Sequence, residues 1–215
     1  MSEPCIFIVD DDDDIRASLS RALRTRGYKT EVFASAQAFL DSDAADRPGC
    51  MILDYGLPGM TGLELQKHLL ERGSRLPVIF ITGHGGVSEA VQAMKYGAVD
   101  FLEKPFRQEK LIERIEAALA QDARSRQSEE SSRAARIRLE TLTDREHEIA
   151  RFLVSNPAQS SSKEVARHLN ISPRTVDHHR ARILDKMNVA SVADLVNLCI
   201  AARLFEDAAP VTTDR

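Results

Sequence analysis

Short apolar segments alternate with longer amphipathic segments over the first 120 residues of the chain. Between the apolar segments, apolar residues recur with helical spacing, and Thr61 with Glu64 forms a capping-box signal at the start of one helix. Strands that alternate with helices predict an α/β domain with a doubly wound, five-stranded parallel sheet. The five segments predicted as strands are Cys5–Val9, Lys29–Phe33, Cys50–Leu53, Val78–Ile81 and Val99–Leu102.

The second half of the chain follows a different pattern. From Thr143 onwards the strand-like segments disappear, and four short amphipathic segments follow. Three of them begin with a Ser or Thr that stands three residues before a Glu or Asp, and the other begins with Ser172 and Pro173. These starts predict an all-α domain of four short helices.

The segment between the two halves is polar. The sequence "QDARSRQSEESSRAARIR" has no Gly or Pro and few apolar residues, but it is rich in good helix formers. We therefore predict an α/β domain at 1–121, a solvated helical linker at 122–140, a helical domain at 141–207 and a flexible tail at 208–215.

Composition narrows the setting in which the protein acts. The longest apolar runs are far too short to cross a bilayer, and the N-terminus lacks the pattern of a secretion signal. Three cysteines without metal-ligand spacing favour a reducing compartment. We therefore expect a cytoplasmic protein with no membrane partner. Residues 1–122 hold 14 Lys and Arg against 20 Asp and Glu, whereas residues 133–207 hold 12 against 10, so the second domain can bind nucleic acid.

Polar residues gather where the predicted strands end. Asp10 and Asp11 follow the first strand, Asp54 the third, Thr82 the fourth and Lys104 the fifth. Ligands of an open parallel sheet bind at the carboxyl ends of its strands, so we expect the three carboxylates to converge there with no cation of their own. Such a site suits Mg²⁺, and the hydroxyl and ammonium groups suit phosphate oxygens. An ionised Asp54 is the expected nucleophile for a phosphoryl group.

Asp10 and Asp11 begin a run of five consecutive aspartates, and the other three have a simpler explanation. Asp12, Asp13 and Asp14 fit the start of a helix, where negative charge is favourable. An EF-hand is excluded, because the sixth and twelfth positions counted from Asp10 are Ile15 and Arg21 rather than Gly and Glu.

Several motifs resemble a known family. "VDDD", "LDYGLPGMTG", "FITGH" and "GAVDFLEKPF" resemble the receiver domain of two-component response regulators. The segment "LTDREHEIARFLV" and the later "KEVARHLNISPRTVDHHRARILDKMNV" resemble a LuxR-type helix-turn-helix. Together they resemble the FixJ branch of response regulators over nearly the whole chain, and they imply a flavodoxin-like strand order of 2-1-3-4-5.

The resemblance also implies roles for single residues of the first domain. Asp11, Asp54 and the backbone carbonyl of Gly56 would ligate Mg²⁺, and Asp10 would hold the metal through water. Asp54 would accept the phosphoryl group of a kinase phosphohistidine, with Thr82 and Lys104 on its oxygens. The remaining implied features are Phe101 as an aromatic switch, a cis Lys104–Pro105 bond, and His84 and Gly56 as residues that tune acyl-phosphate hydrolysis.

The third helix of the second domain is expected to read DNA. Val176, His179, Ile183 and Met187 share one face of it, which predicts a core face. The opposite face is polar and fits the major groove. By the resemblance, His178 and Asp177 would face bases. The resemblance favours phosphate contacts for most of the others. The full set of expected DNA-binding residues is Lys163, Arg174, Thr175, Asp177, His178, Arg180 and Arg182.

One segment departs from the family pattern. "SNPAQSSSKEVA" is about three residues longer than the usual turn before the second helix. Loops tolerate such insertions, so we expect the fold to survive this one.

Two other functions have to be weighed against a regulator. "DDDDI" and "VIFIT" nearly fit the first motifs of a haloacid-dehalogenase-type phosphatase, but the chain has no later strand for the acidic pair of that family. A phosphorylation-dependent protein-interaction module is the other alternative, and salt-dependent retention on DNA would distinguish it from a DNA-binding protein.

We expect a transcription regulator rather than an enzyme. Its expected partners are a sensor histidine kinase, double-stranded promoter DNA, a second copy of the chain on phosphorylation, and RNA polymerase. Phe101 is expected to turn inward from solvent when Asp54 is phosphorylated. The face formed by the elements around Met94, Leu102 and Ile115 is expected either to dimerise when Asp54 is phosphorylated or to mask the C-terminal domain when it is not.

Overall fold

The computed structural model describes residues 3–83 and 86–205. Within these residues, five parallel strands form one sheet in the order 2-1-3-4-5, as predicted. The third strand is one residue longer than predicted at each end, the fourth is one residue longer at its C-terminal end, and the fifth is shifted by one residue towards the C-terminus. The strands are β1 (Cys5–Val9), β2 (Lys29–Phe33), β3 (Gly49–Asp54), β4 (Val78–Thr82) and β5 (Asp100–Glu103).

Helices and loops connect the strands, and helices form the second half of the described chain. Two short 3₁₀ segments lie at Ala44–Asp46 and Pro157–Gln159. No helix among residues 3–83 and 86–205 is long and apolar enough to span a membrane. The α-helices are α1 (Asp13–Thr25), α2 (Ala36–Leu40), α3 (Gly62–Glu71), α4 (Val87–Lys95), α5 (Gln108–Leu139), α6 (Asp144–Ser155), α7 (Ser162–Leu169), α8 (Pro173–Met187) and α9 (Val192–Ala201).

The sheet has an apolar layer on each face, because successive side chains of a strand point to opposite sides. Phe7 and Phe80 belong to one layer, where the ring of Phe7 meets those of Phe33 and Phe39. Ile8 and its neighbours on the other strands pack on the opposite face against α5 residues such as Leu111 and Ile115. Each large side chain that is fully buried stabilises the fold by about 1.5–3 kcal/mol.

The strand register brings the carboxyl ends of β1, β3, β4 and β5 to one edge. Asp54 pairs with Ile81 across β3 and β4, and Thr82 pairs with Glu103 across β4 and β5. The backbone N–H of Tyr55 then donates to Ile81 O at 3.0 Å, and that of Lys104 donates to Thr82 O at 2.7 Å. The residues that follow these strands are therefore held next to one another.

Helix α5 continues from the α/β part of the chain into the helical part. The chain divides into two compact units between Arg126 and Gln127, inside this helix. Residues 122–139 are helical, as predicted for the linker. Asp122 is buried within the first unit, however, and Ala135 is buried in the core of the second. The predicted limits of the linker and domains remain predictions, and the predicted tail lies outside the described residues.

Helices α6 to α9 enclose the core of the second unit. The predicted helix starts are confirmed: Thr143 and Ser161 form capping boxes with Glu146 and Glu164, and the Ser172 side chain caps α8. In α8, Val176, Ile183 and Met187 are buried and His179 is half-buried, so the predicted core face is also confirmed.

Candidate functional site

Two buried carboxylates and one ammonium group meet at the carboxyl edge of the sheet. Asp10 and Asp54 are 1% and 8% exposed, and the Lys104 Nζ atom donates to both of them, at 3.0 Å to Asp10 Oδ2 and 3.0 Å to Asp54 Oδ1. Thr82 is also buried at this edge. The structure thus brings together four of the residues that the sequence placed at strand ends.

The surroundings of Lys104 favour the charged form of its side chain. Burial alone would lower the pKa of Lys104, but the hydrogen bonds to Asp10 and Asp54 outweigh burial and raise the pKa above its ordinary value. The ammonium group is therefore charged at neutral pH. The Lys104–Pro105 peptide bond is cis, as predicted.

The carboxylate arrangement differs from the expected one. Asp10 and Asp54 were expected to meet without a cation. Instead, the Lys104 ammonium lies between the two carboxylates and relieves their mutual repulsion. Asp11 is exposed, and Gly56 donates its N–H to Asp54 Oδ2 at 2.6 Å. Among residues 3–83 and 86–205 no group of three or more His, Cys, Asp or Glu side chains is placed to hold a metal ion.

The other aspartates of the acidic run serve helix α1, as predicted. The Asp12 side chain is the N-cap and accepts from the N–H groups of Asp14 and Ile15, while Asp13 and Asp14 lie in the first turn. Arg16 donates to the Asp10 carbonyl at 2.5 Å and pairs with Asp13. The helix start and the buried site are thereby joined.

A glycine allows α3 to begin directly against the backbone of Asp54. A Cβ atom on Gly62 would lie 2.3 Å from the Asp54 carbonyl oxygen and 3.0 Å from the Phe80 ring, which leaves no room for a side chain. The Gly62 N–H donates to the Tyr55 carbonyl at 3.1 Å. Gly62 therefore fixes the loop that follows Asp54.

The expected aromatic switch is already turned partly inward. Phe101 is half-buried, and its ring centroid lies 5.9 Å from that of Tyr55 and 6.1 Å from that of Phe80. The expectation that this ring starts in solvent is wrong for this structure, because the partly buried Tyr55 offers it an apolar edge. His84 lies outside the described residues.

Helix α8 exposes a polar face in the second unit. Arg174, Thr175 and His178 are exposed on it, and Lys163 is exposed on α7. The Thr175 hydroxyl shares a hydrogen bond of 2.7 Å with that of Ser172. These four residues belong to the set expected to contact DNA, and all of them are exposed.

The remaining expected DNA contacts are engaged within the unit. Asp177 accepts a hydrogen bond from the Ser162 hydroxyl. Arg180 is half-buried and donates from Nη1 to Ser160 O at 3.0 Å and to Ser162 Oγ at 3.2 Å. Arg182 forms an ion pair with the buried Glu146, and its Nε lies 3.2 Å from Glu146 Oε1. The geometry of this pair is not that of a hydrogen bond.

Glu146 ties the start of α6 to α8. Its Oε2 accepts from Lys186 Nζ at 2.6 Å and from the Thr143 N–H at 2.9 Å. Burial would raise the pKa of Glu146, but the hydrogen bonds from Lys186 and Thr143 outweigh burial and lower the pKa to about 2. The carboxylate is therefore ionised at neutral pH although no part of it reaches solvent.

Two family models cover most of the chain. The response regulator receiver domain matches residues 6–116, and the luxR family of bacterial regulatory proteins matches residues 140–199. The chain is 39% identical to the transcriptional regulatory protein FixJ of Bradyrhizobium diazoefficiens over 202 residues, which cover 94% of this chain and 97% of that protein. This chain belongs to the FixJ type of response regulators.

Further relatives agree with this membership. The response regulator protein TodT of Pseudomonas putida strain F1 is 40% identical to this chain over 193 residues, which are 90% of this chain and 84% of TodT. A solved structure of the response regulator StyR matches with a TM-score of 0.79 and 37% identity, covering 93% of this chain and 99% of the StyR chain. Full-length FixJ from B. japonicum matches with a TM-score of 0.57 and 38% identity, covering 96% and 100%.

The protein is therefore a transcriptional regulator with a receiver and a LuxR-type DNA-binding domain, as expected. The sequence had indicated candidate site residues for this response regulator, but it missed the residues that support them. Tyr55 and Gly62 lie in the motif "LDYGLPGMTG" without an assigned role, and Glu146 was identified only as a helix cap. The motif was thus a usable signal for the first two, whereas no local signal marked the ion pairs of Glu146.

Proposed function

We propose that Asp54 is the phosphoacceptor of this response regulator. The observation that carries the proposal is the Lys104 ammonium, which bridges Asp10 and Asp54 at the carboxyl edge of the sheet. Asp54 would attack the phosphorus of a phosphohistidine on a sensor kinase. The phosphorus–nitrogen bond would break, and its electron pair would stay on the imidazole. Lys104 and Thr82 would then contact the phosphoryl oxygens, and Lys104 would neutralise part of their charge.

Mg²⁺ belongs to this proposal as the cofactor of the transfer. Carboxylate and carbonyl oxygens are the ligands that Mg²⁺ prefers, and the residues at this edge supply such atoms. Asp11, Asp54 and the Gly56 carbonyl would hold the ion, with Asp10 acting through water. When bound, the ion would neutralise charge on the transferred phosphoryl group. The exposed Asp11 has room to turn towards it.

The second unit would bind promoter DNA through α7 and α8. Lys163, Arg174 and Thr175 are exposed at the surface that would meet phosphates, and His178 and Asp177 would face the bases. Arg180 and Arg182 already have partners inside the unit, so the proposal does not depend on their binding DNA. RNA polymerase would be a further partner, because the protein regulates transcription. For the same reason the protein would act in the cytoplasm.

Phosphorylation would favour a dimer of the chain. Three apolar side chains of α4 are exposed: Val87 is 83% exposed, Val91 46% and Met94 48%. Leu102 and Ile115 are buried in the receiver core and would not contribute directly. A dimer would present two helix-turn-helix units to half-sites about one DNA turn apart. The receiver's own chemistry would be limited to accepting the phosphoryl group and losing it slowly.

Labelling with a radioactive acyl phosphate, followed by peptide mapping, tests the phosphoacceptor. We expect Mg²⁺-dependent label on the peptide that holds Asp54 and none in Asp54→Asn. Asp11→Ala should fold like wild type but take up label at least about tenfold more slowly, because the metal loses a ligand. Wild-type labelling of Asp54→Asn would overturn the assignment of the nucleophile, and wild-type rates in Asp11→Ala would overturn that of the metal ligand.

A further inference from the structure

One hydroxyl group joins the start of α7 to two charged residues of α8. The Ser162 Oγ donates to Asp177 Oδ1 and accepts from Arg180 Nη1 at 3.2 Å. The same Nη1 donates to the Ser160 carbonyl at 3.0 Å. Ser160 and Ser162 come from the segment in which this chain is longer than the family pattern. The contact therefore belongs to a part of the domain that distinguishes this chain.

The hydrogen bond from Ser162 restrains the Asp177 side chain, which would otherwise be mobile on the exposed face of α8. Asp177 is exposed, and an exposed aspartate samples several rotamers. Because Oδ1 is held by Ser162, the orientation of Oδ2 is fixed as well. Among the hydrogen bonds of the described residues, none is made to Asp177 Oδ2. One oxygen of the carboxylate thus remains available on the exposed face of α8.

A carboxylate on a DNA-reading helix is useful only if it meets a donor. Phosphates repel it, so an aspartate without a donor would weaken binding. In the major groove, cytosine N4 and adenine N6 present amino donors, whereas guanine N7 and O6 and thymine O4 are acceptors. Arg180 places positive charge near Asp177, and its half-buried guanidinium is committed to Ser160 and Ser162.

We propose that Ser162 is a positioning residue for sequence readout. It holds Asp177 so that Oδ2 accepts a hydrogen bond from the amino group of a cytosine or an adenine. Arg180 supports Ser162 and does not bind a phosphate. The inference rests on the proposed function only in that the exposed face of α8 meets the major groove.

Sequence selection by the full chain tests this role. Wild type would select from a randomised duplex library in the presence of an acyl phosphate donor. The variants would then be compared on duplexes that differ at single positions. We expect wild type to prefer cytosine or adenine over guanine and thymine by about tenfold at one position in each half-site. Asp177→Asn should change that preference, because an amide both donates and accepts and can pair with adenine through N6 and N7.

The serine variants isolate the positioning role. Ser162→Ala should lose about threefold or more of the discrimination at the same position, because Asp177 is no longer held. Its affinity for non-specific DNA and its thermal transition should stay unchanged, since alanine suits a helix start. Ser162→Thr keeps the hydroxyl and should restore the preference. Ser160→Ala is the matched control, because Arg180 uses only the backbone carbonyl of Ser160.

Each outcome separates the two ideas. If wild type selects no sequence, the proposed DNA-binding function fails. If wild type selects a site and Asp177→Asn changes the preference while Ser162→Ala discriminates like wild type, the proposed function stands and the positioning role is wrong. A site that Asp177→Asn leaves unchanged at every position would overturn the readout by Asp177.

Discussion

At the scale of single residues, the charged groups of this protein are placed by distant partners. Lys104 meets Asp54 and Asp10 across 50 and 94 residues of sequence. Glu146 caps α6 as its position predicts, yet its charge is held by Lys186, 40 residues away. A local pattern reveals a cap because the cap contacts lie within three residues. It cannot reveal an ion pair whose partners meet only when the helices pack.

Glu146 gives the second unit a specific dependence on pH. Its pKa falls from an ordinary 4.5 to about 2 in the folded protein. Its contribution to stability is therefore fully present above about pH 4.5 and is lost as the pH falls towards 2. Glu146→Gln should destabilise the unit by about 1–3 kcal/mol at neutral pH and remove this part of the acid dependence, because Lys186 and the Thr143 N–H lose a charged acceptor.

Amide hydrogen exchange of α6 and α8 in the full chain measures this effect. We expect protection in wild type to fall between pH 4.5 and 2, and protection in Glu146→Gln to be lower at neutral pH but flatter over that window. Parallel pH curves for wild type and variant would show that another group controls the acid response.

At the scale of elements, the family resemblance predicted the strand order, and the sequence pattern predicted the strands and the helix starts. Apolar strands covered on both faces and side-chain caps are local signals, so these predictions required no knowledge of the packing. The boundary between the receiver and the linker within α5 could not be predicted without knowledge of the packing. Asp122 was assigned to a solvated linker because its neighbours are polar. Its burial depends on a strand that lies 73 residues earlier in the chain.

Asp122 and Arg126 fasten α5 to the receiver. Asp122 Oδ2 accepts from the Gly49 N–H at 2.9 Å, and Arg126 donates to both oxygens of Asp122 and to the carbonyls of Asp46 and Arg47. Because Asp122 is 4% exposed, its removal would leave a buried N–H without its partner and free the guanidinium. We therefore infer that the receiver extends to Arg126.

Replacing Asp122 with alanine tests this fastening. We expect the start of β3 and residues 119–126 to lose about 1–3 kcal/mol of protection against hydrogen exchange. Labelling of Asp54 should continue, because the contact lies at the opposite end of β3. Glu113→Ala is a suitable control, since Glu113 is exposed on the same helix. Unchanged exchange at Gly49 in Asp122→Ala would contradict the inferred extent of the receiver.

At the scale of the whole molecule, one phosphoryl group has to influence DNA binding by the other unit. The available energy is modest, so phosphorylation would shift an existing equilibrium rather than build a new structure. Thr82 and Phe101 lie at the site, and the exposed apolar side chains of α4 offer a surface that can become an interface. The sequence suggested this route through the resemblance, but it could not show that Phe101 is already half-buried.

The most direct test of the account compares DNA retention and sedimentation of the full chain with and without an acyl phosphate donor. Asp54→Asn serves as the control that cannot be phosphorylated. Our expectation is that the donor converts wild type to a dimer and tightens binding to a selected duplex by at least about tenfold, whereas Asp54→Asn stays monomeric and binds weakly in both conditions. Equal dimerisation and equal binding by wild type and Asp54→Asn, with and without the donor, would contradict it.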